Sequence, residues 1–344
     1  MANRELPGDK RGIMTVKSAV PANGGWIRFP RKLYTAYRGI LVPFLIAVLL
    51  IVVGQMATPG FAGANHVLQL LKTSALLGVL VLAQSVVIIS GGEGIDLSVG
   101  AIAGFSAIMA GVIMNGQDAN LVQAVLLAVA AGFLLGLING TGVAVFSVPP
   151  LIMTLGMSSV ITGMVLIYSQ GFIIRGSASG VLKAIGGGQF LGVPSMIFVW
   201  VVIIAISLFV FYRTKFGITL YGVGANEMTA QLDGVHTRRA RALAYAIGGA
   251  IAALAGVFLL GYNGLPYMGM GDTYTLPSVA AAVIGGISLA GGSGNYLGAV
   301  GGSILLTTLT ALLVTLRMGE GGKQIVFGLV LITLLALYGR RSQS

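Results

Sequence analysis

The sequence contains no cysteine and few charged residues. Among 344 residues, the absence of cysteine excludes disulfides, thiolate metal sites and cysteine nucleophiles. Charged residues make up only 8% of the chain and hydrophobic residues 56%, a composition that excludes an ordinary soluble globular protein. At about 20 apolar residues per crossing, a chain of this kind accommodates about ten membrane helices. The composition therefore predicts an all-α, polytopic transmembrane helical bundle.

Acidic residues are scarce too, with 9 Asp and Glu against 20 Lys and Arg. In a soluble protein the net charge of +11 would suggest nucleic acid, but eight of the basic residues precede residue 39, ahead of the first apolar run. This distribution is a topology signal, so no nucleic-acid partner is expected. Residues 1–38 are interpreted as a basic cytoplasmic tail without a signal-peptide layout, and residues 39–344 as one transmembrane domain. The two histidines, His66 and His236, are far apart, so neither a metal site nor a cofactor is expected.

Ten spans are placed on the apolar runs, which returns the chain to the cytoplasm and leaves both termini there. Two glycine-rich joins, GGEGIDL at 91–97 and GGSGNYL at 291–297, are expected to allow broken or re-entrant helices. An internal duplication or coincidence among 53 glycines would explain their likeness. The predicted spans are 39–57, 67–89, 97–115, 121–146, 150–170, 195–212, 242–262, 277–294, 297–317 and 323–339.

The longest polar interruption, residues 213–241, is expected to be a cytoplasmic coupling loop. Within it, Asn226 is predicted to cap a helix of about two turns, and Gly234 to end that helix in a left-handed conformation. Met228, Leu232 and Val235 are predicted on one face, with Glu227, Gln231 and Asp233 turned away. Such a helix fits a groove on a soluble partner, and an ordinary basic loop is the alternative. The candidate coupling residues are Asn226, Glu227, Met228, Leu232, Asp233 and Val235.

Two acids, Glu93 and Asp96, lie at the first glycine-rich join. A carboxylate within a membrane indicates function, so Glu93 is a candidate site for a coupling cation or proton, although a break at the membrane surface would expose it to water. Asp96, followed by Ser98, is interpreted mainly as a helix cap. Other polar side chains in the spans would line a path for a hydroxylated solute or bond across helices. The candidate pathway residues are Gln84, Glu93, Asp96, Asn139, Ser158 and Thr162.

Five short motifs in order resemble the ribose-type permease subunits of bacterial ABC importers, from about residue 40 to the end. The family's GGIDLSVG pattern is present at 92–100 with Glu93 as an added residue. The others are GLING at 136–140, VPPLIMTLG at 148–156, TKFG with GAN at 214–226, and IGGISLAGGSG at 284–294. Departures from the family mostly remove charge, as at Thr162, Ile218, Thr275, Pro277 and Ser293.

The resemblance implies a permease subunit for a sugar or sugar-like solute in the bacterial inner membrane. It implies three partners: a separate ABC ATPase subunit, a periplasmic binding protein, and a second permease chain that forms a homodimer or heterodimer. The chain itself has no GxxxxGK[ST] phosphate loop and no paired nucleophile and base, so it is not expected to be an enzyme. An ion-coupled secondary transporter with Glu93 as its coupling site is the alternative.

Basic residues on the expected outer loops are candidates for contact with the binding protein. Rim charges of this kind mainly steer encounter and fix register. The alternative is that Arg175 and Lys183 snorkel to lipid headgroups at the end of a span, so that membrane lipid is their partner. The candidate docking residues are Arg175, Lys183, Arg317 and Lys323.

Overall fold

The computed structural model describes residues 29–170, 174–319, 321–323, 325–326 and 328–329. The chain divides into two compact units, residues 1–36 and residues 37–344. The described part of the second unit is mainly helical. It also contains one antiparallel hairpin with two residues in each strand. The elements are α1 (Phe29–Ala57), α2 (Ala64–Ile89), α3 (Val99–Met114), α4 (Leu121–Ala144), α5 (Pro150–Ser169), α6 (Gly180–Gly186), β1 (Gln189–Phe190), β2 (Val193–Pro194), α7 (Ser195–Arg213), α8 (Lys215–Ala225), α9 (Glu227–Leu232), α10 (Thr237–Asn263), α11 (Thr275–Ile284) and α12 (Tyr296–Thr315).

Seven helices in the described part of the chain are long and apolar enough to cross a membrane: α1 from Gly39, α2, α4, α5, α7, α10 and α12. This confirms a helical membrane bundle. The predicted span at 97–115 corresponds to the shorter apolar helix α3, and the predicted span at 323–339 lies mostly outside the described residues. Helix α1 already begins at Phe29, within the stretch interpreted as the tail.

The expected span at 277–294 is wrong in its second half. Helix α11 ends at Ile284, and the chain then turns through residues 285–295 before α12 begins. Four glycines there, Gly286, Gly291, Gly292 and Gly294, have positive φ angles. Glycine adopts this conformation readily, so a run of such positions ends the helix despite its apolar composition.

Almost all residues of α2 and most residues of α10 and α12 are buried, whereas fewer than a quarter of the residues are buried in α1, α4, α5 and α7. In a membrane protein the exposed apolar surface is the one that lipid or a second subunit covers. Helix α10 packs on α2, α3 and α4, and α12 packs on α2 and α11. The core therefore consists of α2, α3, α10 and α12.

Small residues set the spacing between these helices. On α4, Gly132 lies against Gly249 of α10, and Gly136 lies against the backbone at Tyr245. On α12, Gly298 and Gly302 lie against the backbone of Gly285 and Ala281. Small residues let membrane helices approach closely in this way, because a side chain at any of these glycines would collide with backbone.

The two glycine-rich joins meet in space. Gly91, in the join after α2, lies against Gly224 of α8 and Gly291 in the join before α12. The amide of Gly292 donates to the carbonyl of Ile89 over 3.0 Å. We call the end of the bundle that holds residues 90–94, 224–236 and 288–294 the α9 end. The opposite end, with residues 115–120 and 174–194, is the α6 end.

Candidate functional site

At the α9 end, a short helix follows Asn226 as the sequence predicts. The Asn226 side chain accepts a hydrogen bond from the amide of Thr229 over 3.0 Å, which satisfies one of the free donors of the first turn. Gly234, with φ of 81°, closes the helix, and the amide of Val235 returns to the carbonyl of Ala230 over 3.0 Å. The predicted cap and the predicted left-handed turn are both confirmed.

The outward face of α9 is apolar. Met228 is 68% exposed and Leu232 is 81% exposed, so two large apolar side chains lie together on the surface of the α9 end. Val235 does not share this face, because it packs against Val223, Ala230 and Ala240 in a small cluster that holds α9 to α8 and α10. The sequence prediction of a three-residue face is therefore corrected to Met228 and Leu232.

The inward face of α9 is tied to α10 by polar contacts. Glu227 accepts a hydrogen bond from Arg241 Nη2 over 2.8 Å and another from Thr237 Oγ1 over 3.0 Å. Gln231 Nε2 donates to Thr237 Oγ1 over 3.0 Å. The Arg241 guanidinium holds the pKa of the Glu227 carboxyl below its usual range. Asp233, which follows the helix, is exposed.

Three candidate pathway residues, Gln84, Asp96 and Asn139, meet in one buried network at the start of α3. Asp96 Oδ1 accepts from the Ser98 amide over 2.8 Å and from Ser98 Oγ over 2.6 Å. Gln84 Nε2 donates to the Asp96 carbonyl over 2.6 Å, and Asn139 Nδ2 donates to Ser98 Oγ over 2.8 Å. All four side chains are fully buried. The network fixes the residues just before α3. Asp96 is not the cap that the sequence predicts, because Ser98 is the N-cap and makes no side-chain cap hydrogen bond, and Asp96 instead accepts from the Ser98 amide in an Asx turn.

Glu93 lies elsewhere, at the surface of the α9 end. It is exposed and has a φ of 54°, in a turn with Gly91 and Gly92, which also have positive φ angles. The exposed position of Glu93 favours the alternative interpretation from the sequence, in which a break in the helix exposes this residue to water, over a coupling site inside a span.

A cavity of about 310 Å³ opens between α3, α5 and the segment after α10. Thr162 lines it, and its hydroxyl donates to the Ser158 carbonyl over 2.9 Å within α5. Ser158 itself is half-buried and is not among the lining residues. Asp272 lines the same cavity opposite Thr162. The cavity wall therefore combines apolar side chains with one hydroxyl and one carboxylate.

At the α6 end, Arg175, Lys183 and Arg317 are exposed, and Lys323 is half-buried. After Arg175 the chain forms α6 and then the hairpin β1–β2. An all-α prediction misses the hairpin. Asp118 accepts from the amide of Val181 over 2.9 Å, and this bond lowers the pKa of the Asp118 carboxyl. Lys72 of α2 donates to the carbonyl of Gly187 over 2.9 Å and lies 4.8 Å from the ring centre of Tyr262.

Residues 66–335 match the family described as "Branched-chain amino acid transport system / permease component". The chain belongs to this permease family. It is 33% identical over 304 residues to the ribose import permease protein RbsC of Bacillus subtilis (strain 168), an alignment that covers 88% of this chain and 93% of the relative. It is 32% identical over 299 residues to the autoinducer 2 import system permease protein LsrC of Shigella flexneri, covering 86% of each chain.

A third relative of this permease is the probable ABC transporter permease protein YphD of Escherichia coli (strain K12), 33% identical over 294 residues and covering 86% of each chain. No solved structure matches the sequence significantly. The matches confirm the resemblance that the five motifs indicate, and with it the prediction of a multi-pass membrane permease rather than an enzyme.

Sequence reasoning misses three features of the permease that the structure brings forward. The sequence gives no individual role to Asp272, Arg241 or Lys72. The signal for Lys72 is present, because a lysine inside an apolar run of α2 requires a partner. Arg241 has no comparable signal, since its partner Glu227 is fourteen residues away. Asp272 has none either, because the cavity that it lines is completed by α3 and α5.

Proposed function

We propose that this permease is the membrane subunit of a binding-protein-dependent ABC importer for a sugar or sugar-like polar solute, driven by a separate ATPase subunit. The observation that carries the proposal is the exposed apolar face of α9, Met228 with Leu232, on a helix that is fixed from behind by Glu227 and Val235. A rigid apolar helix face on a loop between membrane helices can be buried in a hydrophobic groove of another protein. The names of the relatives, importers of ribose and autoinducer 2, support the solute class.

The α9 end is proposed to face the cytoplasm. The chain would cross the inner membrane ten times and have both termini in the cytoplasm. The basic residues near α9, Arg213, Lys215, Arg238 and Arg239, agree with this orientation. Asn226 and Asp233 would then belong to the ATPase-coupling surface together with Met228 and Leu232. Glu227 would fix that surface to α10 from behind. Val235 would support that surface from inside.

The cavity beside α5 is proposed as part of the solute path. Thr162 and Asp272 supply a hydroxyl and a carboxylate that suit a hydroxylated, uncharged solute, whereas the rest of the wall is apolar. Helix α5 is largely exposed, so a second permease chain, identical or different, would complete the path. The buried network of Gln84, Asp96 and Asn139 holds α3 in place beside this path.

The α6 end is proposed as the docking face for the binding protein. Arg175, Lys183 and Arg317 extend from it and are exposed, and Lys323 follows in the same region of the sequence. Such charges at the edge of an interface steer the partner more than they hold it. Contact of Arg175 and Lys183 with lipid headgroups is the alternative.

The ion-coupled alternative loses its proposed site, because Glu93 is exposed at the α9 end rather than buried in a span. The test of the importer proposal is Leu232→Asp, which introduces a charge into the apolar face. We expect loss of the ATPase subunit on copurification, with unchanged permease yield, because burying that carboxylate without a partner is unfavourable.

The matched control is Leu191→Asp, since Leu191 is 86% exposed at the opposite end, in the hairpin turn. This variant should retain the ATPase subunit. Full retention of the subunit by Leu232→Asp would show that α9 is not the docking surface. Solute uptake by the permease alone, driven by an ion gradient, would contradict the importer assignment.

A further inference from the structure

Helix α10 carries two polar residues one turn apart, Arg241 and Tyr245, that face the first glycine-rich join. The join passes along them in order. A Cβ atom at Gly92 would lie 3.0 Å from Arg241 Cζ, and one at Gly94 would lie 3.5 Å from the Tyr245 hydroxyl. Two residues after Gly94 comes Asp96, which belongs to the buried network at the start of α3. Residues 92–96 therefore follow α10 from Arg241 towards the start of α3.

Arg241 is also the residue that fastens α9 from within. Its guanidinium lies 2.8 Å from Glu227, and its side chain is only 13% exposed against 39% for Glu227. Because the arginine is shielded, this ion pair is less screened by salt than a pair on an open surface. The same planar group thus pairs with Glu227 of α9 and lies beside Gly92 of the join, close enough that an added Cβ there would meet it.

The join leads directly into the wall of the cavity. Helix α3 begins at Val99, just after Ser98, and its first three turns place Ala101, Gly104, Phe105 and Ile108 around the cavity. At its start the join is closely packed, because Gly91 lies against Gly224 and Gly291. Closely packed elements of this kind transmit displacement rather than absorb it.

We propose that Arg241 is a positioning residue that joins α9 to residues 92–96, so that a displacement of α9 reaches α3 and changes access to the cavity. This inference rests on the proposed function, in which an ATPase subunit moves α9. The ion pair then acts in transmission and not in holding the ATPase subunit, because Met228 and Leu232 form the docking face and Glu227 and Arg241 lie behind it.

The experiment uses the absence of native cysteine. Met268→Cys places one thiol at the partly exposed cavity wall. The complex is purified with its ATPase subunit, and the labelling rate of the thiol by a maleimide is compared without nucleotide and with ATP plus vanadate. Copurified ATPase and its hydrolysis rate are measured on the same samples. Arg241→Gln and Glu227→Gln are then introduced separately, with Arg239→Gln as the matched control because Arg239 is an exposed arginine on the same helix.

We expect both Arg241→Gln and Glu227→Gln to keep the ATPase subunit and its hydrolysis but to reduce the nucleotide-dependent change in labelling by about fivefold or more. Arg239→Gln should behave like the parent. The exchanged pair, Glu227→Arg with Arg241→Glu, should recover part of the response. Glu227 is more exposed than Arg241, so its substitution disturbs the fold less. Glu227→Gln therefore tests the ion pair even if Arg241→Gln fails to fold.

An unchanged labelling response in Glu227→Gln would overturn the inference, since the pair would then be dispensable for transmission. Loss of ATPase copurification in both variants would overturn it as well, because the pair would serve docking. Failure of the parent complex to contain an ATPase subunit would instead refute the proposed function, and this outcome is distinguished by the copurification measured before any substitution at the pair.

Discussion

Among single residues, the glycines decide where the backbones of this permease touch. Gly224 is the clearest case, because backbone atoms of Ile89 and Gly292 lie at the position of its missing Cβ. Sequence reasoning identified the two joins and the GAN motif but had no means of seeing that they meet. Asp96 shows a partial result: its local pattern with Ser98 predicted a cap, but Ser98 is the N-cap of α3, and the Asp96 carboxylate accepts from the Ser98 amide rather than from the first turn. Its partners Gln84 and Asn139, distant in sequence, were candidates only as isolated polar residues.

We expect Gly224→Ala to destabilise the purified permease by about 1–3 kcal/mol, because neighbouring backbone cannot yield to the added methyl group. Its apparent Tm in detergent should fall by about 2–6 °C. The matched control is Gly222→Ala on the same helix, where nothing lies within 4 Å of the added atom. That variant should be neutral or slightly stabilised, since alanine is the better helix former. Equal Tm values for the two variants would refute the packing argument.

Among the elements, those with a strong local pattern were predicted and those fixed by distant contacts were not. Helix α9 has a capping asparagine, an apolar spacing and a terminal glycine, and its bounds follow from them. Helix α11 looks apolar well beyond Ile284, but its chain turns at glycines that pack on α12. The hairpin β1–β2 has only two residues in each strand, too short for alternation to be visible in a sequence. Val235 shows the same limit, because its inward position depends on Val223 and Ala240.

The Lys72 contact predicts how α6 is held. Lys72 is buried in α2, and its ammonium group caps the last turn of α6 through the Gly187 carbonyl. We expect Lys72→Met to increase amide exchange across 180–188 by about tenfold, since hydrogen bonds to charged groups contribute about 1.5–3 kcal/mol. Hydrogen exchange with mass spectrometry measures this directly. Exchange in α9, at the other end, should stay unchanged. Equal protection of α6 in both proteins would show that the lysine is not its anchor.

For the whole molecule, packing separates two ends of the bundle, and charge suggests how those ends are oriented. The basic residues near α9 support the proposal that this end faces the cytoplasm. The order of contacts along the chain places residues 115–120 and 174–194 together at the other end, for example through the bond from the Gly116 amide to the Ser177 carbonyl. Composition therefore predicted the fold class, whereas the orientation stays a prediction. It could not predict which helices form the core, because nearly all of them are equally apolar and only packing distinguishes buried α2 from exposed α7.

This arrangement predicts that Ala119 and Met228 are reached from opposite faces of the membrane. Both residues are exposed, and a single cysteine at either would be the only thiol in the chain. In cells that express the permease without its partners, an impermeant maleimide added outside should label Ala119→Cys, with Leu191→Cys as a second reporter for the same end. Met228→Cys should react only in inverted vesicles, and addition of the ATPase subunit should protect it because α9 becomes covered. Labelling of Ala119→Cys and Met228→Cys from the same face would refute the topology, since an odd number of crossings separates the two ends along the chain.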